Sequence, residues 1–488
     1  MEKSLEYNPL IPESIELYAK KLIGYTFSDV LDWADTSNEE KQFYANKARK
    51  GGLGNLLEEQ YFFYKANSES SADFKEAGVE LKATPYEVRK DGSIKAGERV
   101  VLTMISYNKP VEPDFYTSHL WKKCKLILFI YYLRNRELGN NLLYQINFVK
   151  LFTPPEADLA IIENDYKIII NKIKQGKAHE LSESDTLYLG ACTKGETALK
   201  STIPQYYAPD IPARKRAFCY KVSYMTFVLN TYIATDLNTY EPIIKSTAEL
   251  KEKTFEEIII DRINQYRGKS DKELSKEFKR EYNANKAQWI ELAYRMLGIK
   301  SNKAEEFAKA NIVVKAIRLE ENGKMRENSP LPTIKFKKLI NESWENSTLY
   351  KYFSETKFLF VVYRKKNNYY ELKGAQLWNM PYKDLNEIVF KGWSEVKEIA
   401  RQGIVIKKKK TKNGIIIENN LPPKKANSII HVRPHTSKRF YKLDNEEIIG
   451  DGSYINGDEL PDGRWITKQS FWLNNTYIVA QLKDELKE

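Results

Sequence analysis

Ala77-Gly-Val-Glu-Leu-Lys-Ala-Thr-Pro85 is the stretch on which the fold turns. Gly78 opens it and Pro85 closes it, and the residues between predict a short strand over 77–85. Side chains alternate along a strand, so Glu80 and Lys82 share one face while Val79 and Leu81 point into a core. Asp73 lies seven residues upstream, and Glu58 fifteen residues before that, in a helix predicted over 52–66. Hydrolysis of a phosphodiester calls for a hard divalent cation held by oxygen ligands, and Mg²⁺ is commonly bound by one or two carboxylates plus water and phosphate. Asp73 and Glu80 supply such carboxylates, Glu58 supports them, and Lys82 stands beside them facing the attacking water and the scissile phosphate. Lys82 acts there by charge or, with a lowered pKa, as a base; the sequence leaves both open.

A Glu-x-Lys pair carries little information alone. It recurs at Glu249/Lys251, Glu277/Lys279, Glu371/Lys373, Glu395/Lys397 and Glu485/Lys487, most of which read as solvated charge pairs. The copy at Glu80 differs by its apolar strand and by two further carboxylates upstream.

Working outward, residues 12–34 have helical apolar spacing interrupted at Gly24, with Thr26 as the cap of a second helix. Strands are predicted over 98–106, 125–133 (buried on both faces) and 143–152, and a helix over 156–176. Strands interleaved with helices imply an α/β or α+β domain with a mixed sheet. Residues 233–254 are polar and read as a connector. Beyond them the pattern returns: 304–316 align without gaps on 71–83, Glu291 stands where Glu58 does, 345–350 resemble 116–121 ahead of an apolar strand, and 464–471 resemble 216–224. Matches in the same order predict two copies of one fold, over 1–232 and 255–488.

The bulk properties agree. A chain of 488 residues exceeds one ordinary domain, and its 42% hydrophobic content suffices for normal cores. Lys and Arg outnumber Asp and Glu by 78 to 66, an excess that favours a polyanionic partner such as nucleic acid or an anionic membrane, though proteins that bind neither also carry it. No run reaches the roughly 18 apolar residues of a membrane span, and no signal peptide is visible at the start. Three widely spaced cysteines predict a reducing cytosol without a disulfide framework, and no Cys/His cluster has zinc spacing. His431 and His435 are expected in a surface loop.

Lys50-Gly-Gly-Leu-Gly-Asn-Leu-Leu-Glu58, Asp73-Phe74 and Ala77–Pro85 together resemble the mismatch-repair nicking endonuclease MutH, and more closely the two-domain type II restriction endonucleases related to it that cut at GATC. Leu17–Phe27, Thr117-Ser118 with Lys123, and Tyr188-Leu-Gly-Ala-Cys-Thr-Lys-Gly195 extend the resemblance over most of residues 12–230. It implies an α/β fold made of two MutH-like copies, each with a central mixed sheet flanked by helices. It also implies a bacterial cytoplasmic enzyme that hydrolyses double-stranded DNA at GATC with Mg²⁺, leaving 5′-phosphate ends. Asp73, Glu80 and Lys82 would be the catalytic core, Glu58 a further metal ligand, and Lys123 the lysine at the phosphate, with Lys125 its competitor.

In the second copy Val313 replaces Glu80. A valine cannot ligate Mg²⁺, so that copy is expected to be silent although Lys315, Glu306 and Glu291 remain. Ile430-His-Val-Arg-Pro-His-Thr-Ser-Lys438 resembles the MutH base-reading loop, which makes Arg433 and Pro434 DNA-binding residues. An arginine there can take guanine O6 and N7 together. Thr193 and Lys194 hold the matching place in the first copy, and Lys407–Lys410 read as a flexible basic loop along phosphates. The resemblance further implies a monomer in solution that meets a second monomer on DNA. The alternatives are a MutH-like nicking repair enzyme and a sequence-specific DNA-binding protein that does not cut. The duplication opposes the first and the intact Asp73, Glu80 and Lys82 oppose the second.

Overall fold

The computed structural model describes residues 5–45, 52–64, 71–194, 201–234, 240–283, 285–411 and 414–488. The chain forms two compact units: residues 1–255 with 302–311, and residues 256–301 with 312–488.

In the first unit, helix α1 (Gly52–Leu56) runs into a wider π-type turn over Leu57–Tyr61 and stops short of residue 66, where Phe63 takes a left-handed φ of 58°. Thr26 caps the helix Phe27–Trp33 as expected: its hydroxyl accepts the Asp29 N–H and the Asp29 carboxylate accepts the Thr26 N–H. Strands β1 (Glu80–Val88), β2 (Ile94–Ala96), β3 (Val100–Met104), β4 (Ile127–Leu133), β5 (Ile146–Phe152), β6 (Leu189–Thr193) and β7 (Arg216–Tyr220) follow, with helix α2 (His119–Cys124) before β4 and helix α3 (Glu156–Lys174) after β5. One mixed sheet has the order β2-β1-β4-β5, with β1 parallel to β4 and β5 antiparallel to it. A second, antiparallel sheet has the order β3-β7-β6. Parallel pairing requires a long crossover, here the segment that carries β2, β3 and α2. Ile127 through Tyr131 are all fully buried, as an apolar run covered on both faces should be. Val79 and Leu81 join Leu57, Phe74, Leu128 and Ile130 in one core, which turns the opposite face of β1 toward the site.

The second unit contains β8 (Ile312–Leu319), β9 (Ser329–Thr333), helix α4 (Thr348–Glu355), β10 (Lys357–Lys366), β11 (Tyr369–Trp378), β12 (Ile406–Thr411), β13 (Gly414–Asn419), β14 (Ile430–Pro434) and β15 (Gln469–Leu473), besides a small four-stranded sheet drawn from 441–467. Its mixed sheet runs β8-β10-β11, with β8 parallel to β10 and β11 antiparallel to it. Its antiparallel sheet runs β9-β15-β14. Lys315 faces Phe360 across the ladder as Lys82 faces Phe129 in the first unit, and Ser347 caps α4 as Ser118 caps α2.

Several expectations are corrected. Of the connector expected over 233–254, the described residues 240–254 are packed into the first unit: Ile243 and Ile244 are buried, and their N–H groups donate to the Glu306 carboxylate at 2.9 Å each. Its polarity misled because the order comes from a carboxylate more than sixty residues away. A boundary at 255 is also too simple, since the helix Glu305–Ala310 belongs to the first unit. There Lys309, only 2% exposed, pairs with Asp158 at 2.6 Å and Glu305 at 2.7 Å. The place of β7 is held by β15; Arg464 lies ahead of it, bound to Asp462 at a turn. The basic run 407–410 is not a loop but part of β12, paired with β13, where Lys407 lies opposite Glu418 and Lys409, two residues along the same face, reaches that carboxylate at 3.1 Å. His431 is buried on β14, its ring bonded to Asn474 at 2.6 Å, rather than in a surface loop.

Candidate active site

Glu80 opens β1 and is 2% exposed, with its N–H donating to the Leu126 carbonyl at 3.0 Å. Its two carboxylate oxygens go to different lysines. Lys82 Nζ donates to Oε1 at 2.6 Å and Lys123 Nζ donates to Oε2 at 2.9 Å. Strand periodicity brings the first contact and a helix brings the second. Ser118, fully buried, caps α2 by accepting the Trp121 N–H at 3.1 Å, and the helix then turns Lys123 inward, where it is 8% exposed. Lys125 ends outside this cluster: it is exposed, and its ammonium lies beside Gly78, 3.1 Å from where a Cβ would stand. Gly78 has a φ of +66°, a left-handed conformation in which a larger residue would be strained, while the exposed lysine could yield to one.

Asp73 is fixed by the same turn. Phe74 and Val79 exchange backbone hydrogen bonds of 2.9 and 3.2 Å, closing the loop between them. Asp73 Oδ2 accepts the Leu81 N–H at 2.8 Å, which leaves Oδ1 turned toward Lys123 Nζ at 4.0 Å. Burial raises the Asp73 pKa, and the Glu80 charge raises it further. Glu58 sits on the π-type turn, a distortion that often marks functional positions. Burial pushes its pKa up to about 7, with Asp73 the next cause and the Lys82 charge opposing. Three acidic side chains thus sense one another in a half-dry place, which is the electrostatic setting a hard cation relieves.

The donor chemistry fits such an ion, since Glu58, Asp73 and Glu80 offer only oxygen. Among the described residues, no three His, Cys, Asp or Glu groups are drawn together tightly enough to hold one as they stand. Each oxygen of Glu80 accepts one ammonium hydrogen bond, which leaves a lone pair on each for a cation. The other Glu-x-Lys pairs make a useful contrast. Lys373 meets Glu371 at 2.7 Å on β11, the same local geometry, yet the Glu371 pKa is lowered by its lysine rather than raised by buried neighbours.

The DNA-binding residues of the sequence reading occupy matching strand ends. Thr193 closes β6 opposite Arg216, and the Lys194 N–H donates to the Lys215 carbonyl at 2.8 Å; Gly195 lies outside the described residues, as do Lys50 and Gly51. Arg433 and Pro434 close β14, both exposed, with the Arg433 guanidinium 4.7 Å above the Trp472 ring. Stacking on an aromatic face holds an arginine without consuming its donors. Sequence reading gave Arg216 no part in the site. It is 4% exposed and donates to the Ala191 carbonyl at 2.7 Å, bracing β6 from beneath. A buried arginine beside a binding loop has no periodic signature by which to find it. In the second unit, Glu291 pairs with Arg280 at 2.7 Å, and Lys315, largely buried on β8 with its pKa lowered by burial, has no carboxylate partner among the described residues. Glu306, expected to match Asp73, instead binds Ile243 and Ile244 within the first unit.

A buried acid cluster with two lysines on a mixed sheet defines a nuclease of the MutH-related class, and residues 62–165 match the MutH family, described as DNA mismatch repair enzyme MutH. The whole chain goes further. It is 34% identical over 467 residues to the type II restriction enzyme Sau3AI of Staphylococcus aureus, covering 90% of this chain and 94% of that protein. The chain belongs to the family of MutH-related type II restriction endonucleases: it is a site-specific deoxyribonuclease that hydrolyses phosphodiester bonds of DNA.

Proposed function

We propose that the protein cuts both strands of double-stranded DNA at GATC with Mg²⁺, leaving 5′-phosphate ends, in the bacterial cytoplasm. The observation that carries the catalytic assignment is the convergence of Lys82 and Lys123 on Glu80 with Asp73 alongside. Asp73, Glu80 and Glu58 are the residues to hold the ion, which when bound would neutralise developing charge and lower the pKa of the attacking water. Lys82 would assist the attacking water and Lys123 the scissile phosphate, both from their places beside Glu80. The likeness to a type II restriction enzyme supports cutting at a specific site; GATC as that site is what the sequence resemblance implies.

We further read the two units as copies of one fold, the first catalytic and the second a binding or effector unit without a complete site. The shared strand order and sense of the two mixed sheets, and of the two antiparallel sheets, support this. Val313 in place of Glu80 supports the silence of the second. Thr193 and Lys194 in one unit, and Arg433 and Pro434 in the other, are the residues assigned to DNA contact. The protein is a monomer in solution and pairs with a second monomer on a palindromic site, whose symmetry suits two catalytic units.

The test is incubation of unmethylated GATC-containing plasmid with Mg²⁺ and, separately, with EDTA. Linear fragments ending at GATC in the first arm alone are expected. Nicked circles only would favour a MutH-like nicking enzyme, and retained binding without cleavage a DNA-binding protein.

A further inference from the structure

One polar group beside the acid cluster has no role in the reading above. The Tyr64 hydroxyl is completely inaccessible and has no hydrogen-bond partner among the described residues. A buried donor left unmade costs on the order of 1–3 kcal/mol, and of the groups so placed Tyr64 is the one beside the acid cluster. Tyr64 is tied to both flanks of the cluster. Its backbone N–H donates to the Glu58 carbonyl at 3.0 Å, and its ring packs edge-on against Phe74, the residue after Asp73, at 5.1 Å between centroids. After burial itself, the charges acting most strongly on its phenol are those of Asp73, Glu58 and Glu80, in that order. Asp73 has an oxygen to offer: Oδ2 is held by the Leu81 N–H, whereas among the described residues Oδ1 has Lys123 at 4.0 Å.

We propose that Tyr64 is a positioning residue of the cleavage centre, whose hydroxyl donates to the Asp73 carboxylate when the site is loaded and fixes the orientation in which Asp73 binds a divalent cation. This rests on the reading of Asp73 and Glu80 as metal-holding residues. The arrangement is the usual one in which an outer hydrogen bond orients a ligating carboxylate, and loss of such a partner typically weakens metal affinity or activity 10–100-fold. The hydroxyl is not needed to hold the metal-free protein together, because there it bonds to nothing among the described residues.

The experiment compares wild type, Tyr64→Phe and Glu80→Ala as full chains. Mg²⁺ and Mn²⁺ binding is measured by calorimetry without DNA, thermal unfolding is followed in EDTA, and kcat and KM are determined on plasmid DNA. Tyr64→Phe should unfold in EDTA at a temperature no lower than wild type, bind metal about 10-fold more weakly, and lose about 10-fold in kcat with KM for DNA unchanged. A lowered unfolding temperature in EDTA would mean a structural hydroxyl and overturn the proposal. So would wild-type metal binding and kcat in Tyr64→Phe alongside an inactive Glu80→Ala. An active Glu80→Ala would instead overturn the metal-site reading beneath it.

Discussion

Lys123 and Glu80 are 43 residues apart in sequence and 2.9 Å apart at the heart of the site, joined through the parallel pairing of β1 with the strand that follows α2. Lys82 reaches the other oxygen of the same carboxylate, so Glu80 is where a strand's periodicity and a helix's cap converge.

Replacing Glu80 by Gln keeps its shape and removes its charge. Cleavage should fall by about 10²–10³-fold or more, the scale of a single charge-stabilising group, while DNA binding in a gel-shift assay persists. Binding lost together with cleavage would show that Glu80 works through the fold rather than the chemistry.

The two lysines at the end of α2 should separate cleanly. Lys123→Ala should lower kcat by a factor of about 10² or more, whereas Lys125→Ala should stay within about twofold, because the latter side chain is exposed beside Gly78 and away from Glu80. Parallel turnover measurements decide it, and equal losses would contradict the geometry.

Metal affinity should depend on pH through Glu58. Its pKa is pushed up to about 7, so in the metal-free fold it keeps its proton over a range where the unfolded chain, with an ordinary carboxylate near 4.5, has lost it. This raised value means the folded state binds the proton more tightly, so metal-free stability declines as pH rises between those two values. Ligation needs the ionised form, so Mg²⁺ binding should strengthen from pH 6 to 8 with release of a proton. Glu58→Gln should flatten both trends, as calorimetry in buffers of different ionisation enthalpy would reveal.

The buried pair of Lys309 and Asp158 carries a stability prediction. Each is 2% exposed, and Lys309→Ala would strand Asp158 without its counter-charge. A loss of about 3–5 kcal/mol in urea unfolding is expected, with Lys309→Met no better because the carboxylate remains. A change below about 1 kcal/mol would indicate that Asp158 simply takes up a proton.

Arg433→Ala tests the second unit. If Arg433 reads a guanine, specific DNA affinity should drop by about 1–3 kcal/mol with little change in binding to unrelated DNA; an equal loss for both would make it a phosphate contact.

Glu80 and Lys82 were legible because strand alternation puts them on one face, whereas Asp73 had Glu76 as a nearer competitor and was singled out by the family resemblance; the turn that returns it to the Leu81 N–H is visible only in the fold. Lys123 was readable only as one of two neighbours, since the choice between it and Lys125 depends on where the Ser118 cap starts the helix turning. The basic run at 407–410 was misread because charge density suggests a solvated loop, while its pairing with β13 is set by residues further on. Tyr64 was hidden in an aromatic run that looks like ordinary core; nothing in Tyr-Phe-Phe-Tyr marks one hydroxyl as facing acids.

The membership of residues 302–311 in the first unit has a consequence for how the protein comes into being. During synthesis Asp158 leaves the ribosome some 150 residues ahead of Lys309, its buried counter-charge. The first unit therefore cannot pair this buried aspartate when residue 255 emerges; it waits for the ten residues 302–311, made only after 256–301. A chain that ended before residue 302 would carry a first unit with Asp158 deprived of its lysine.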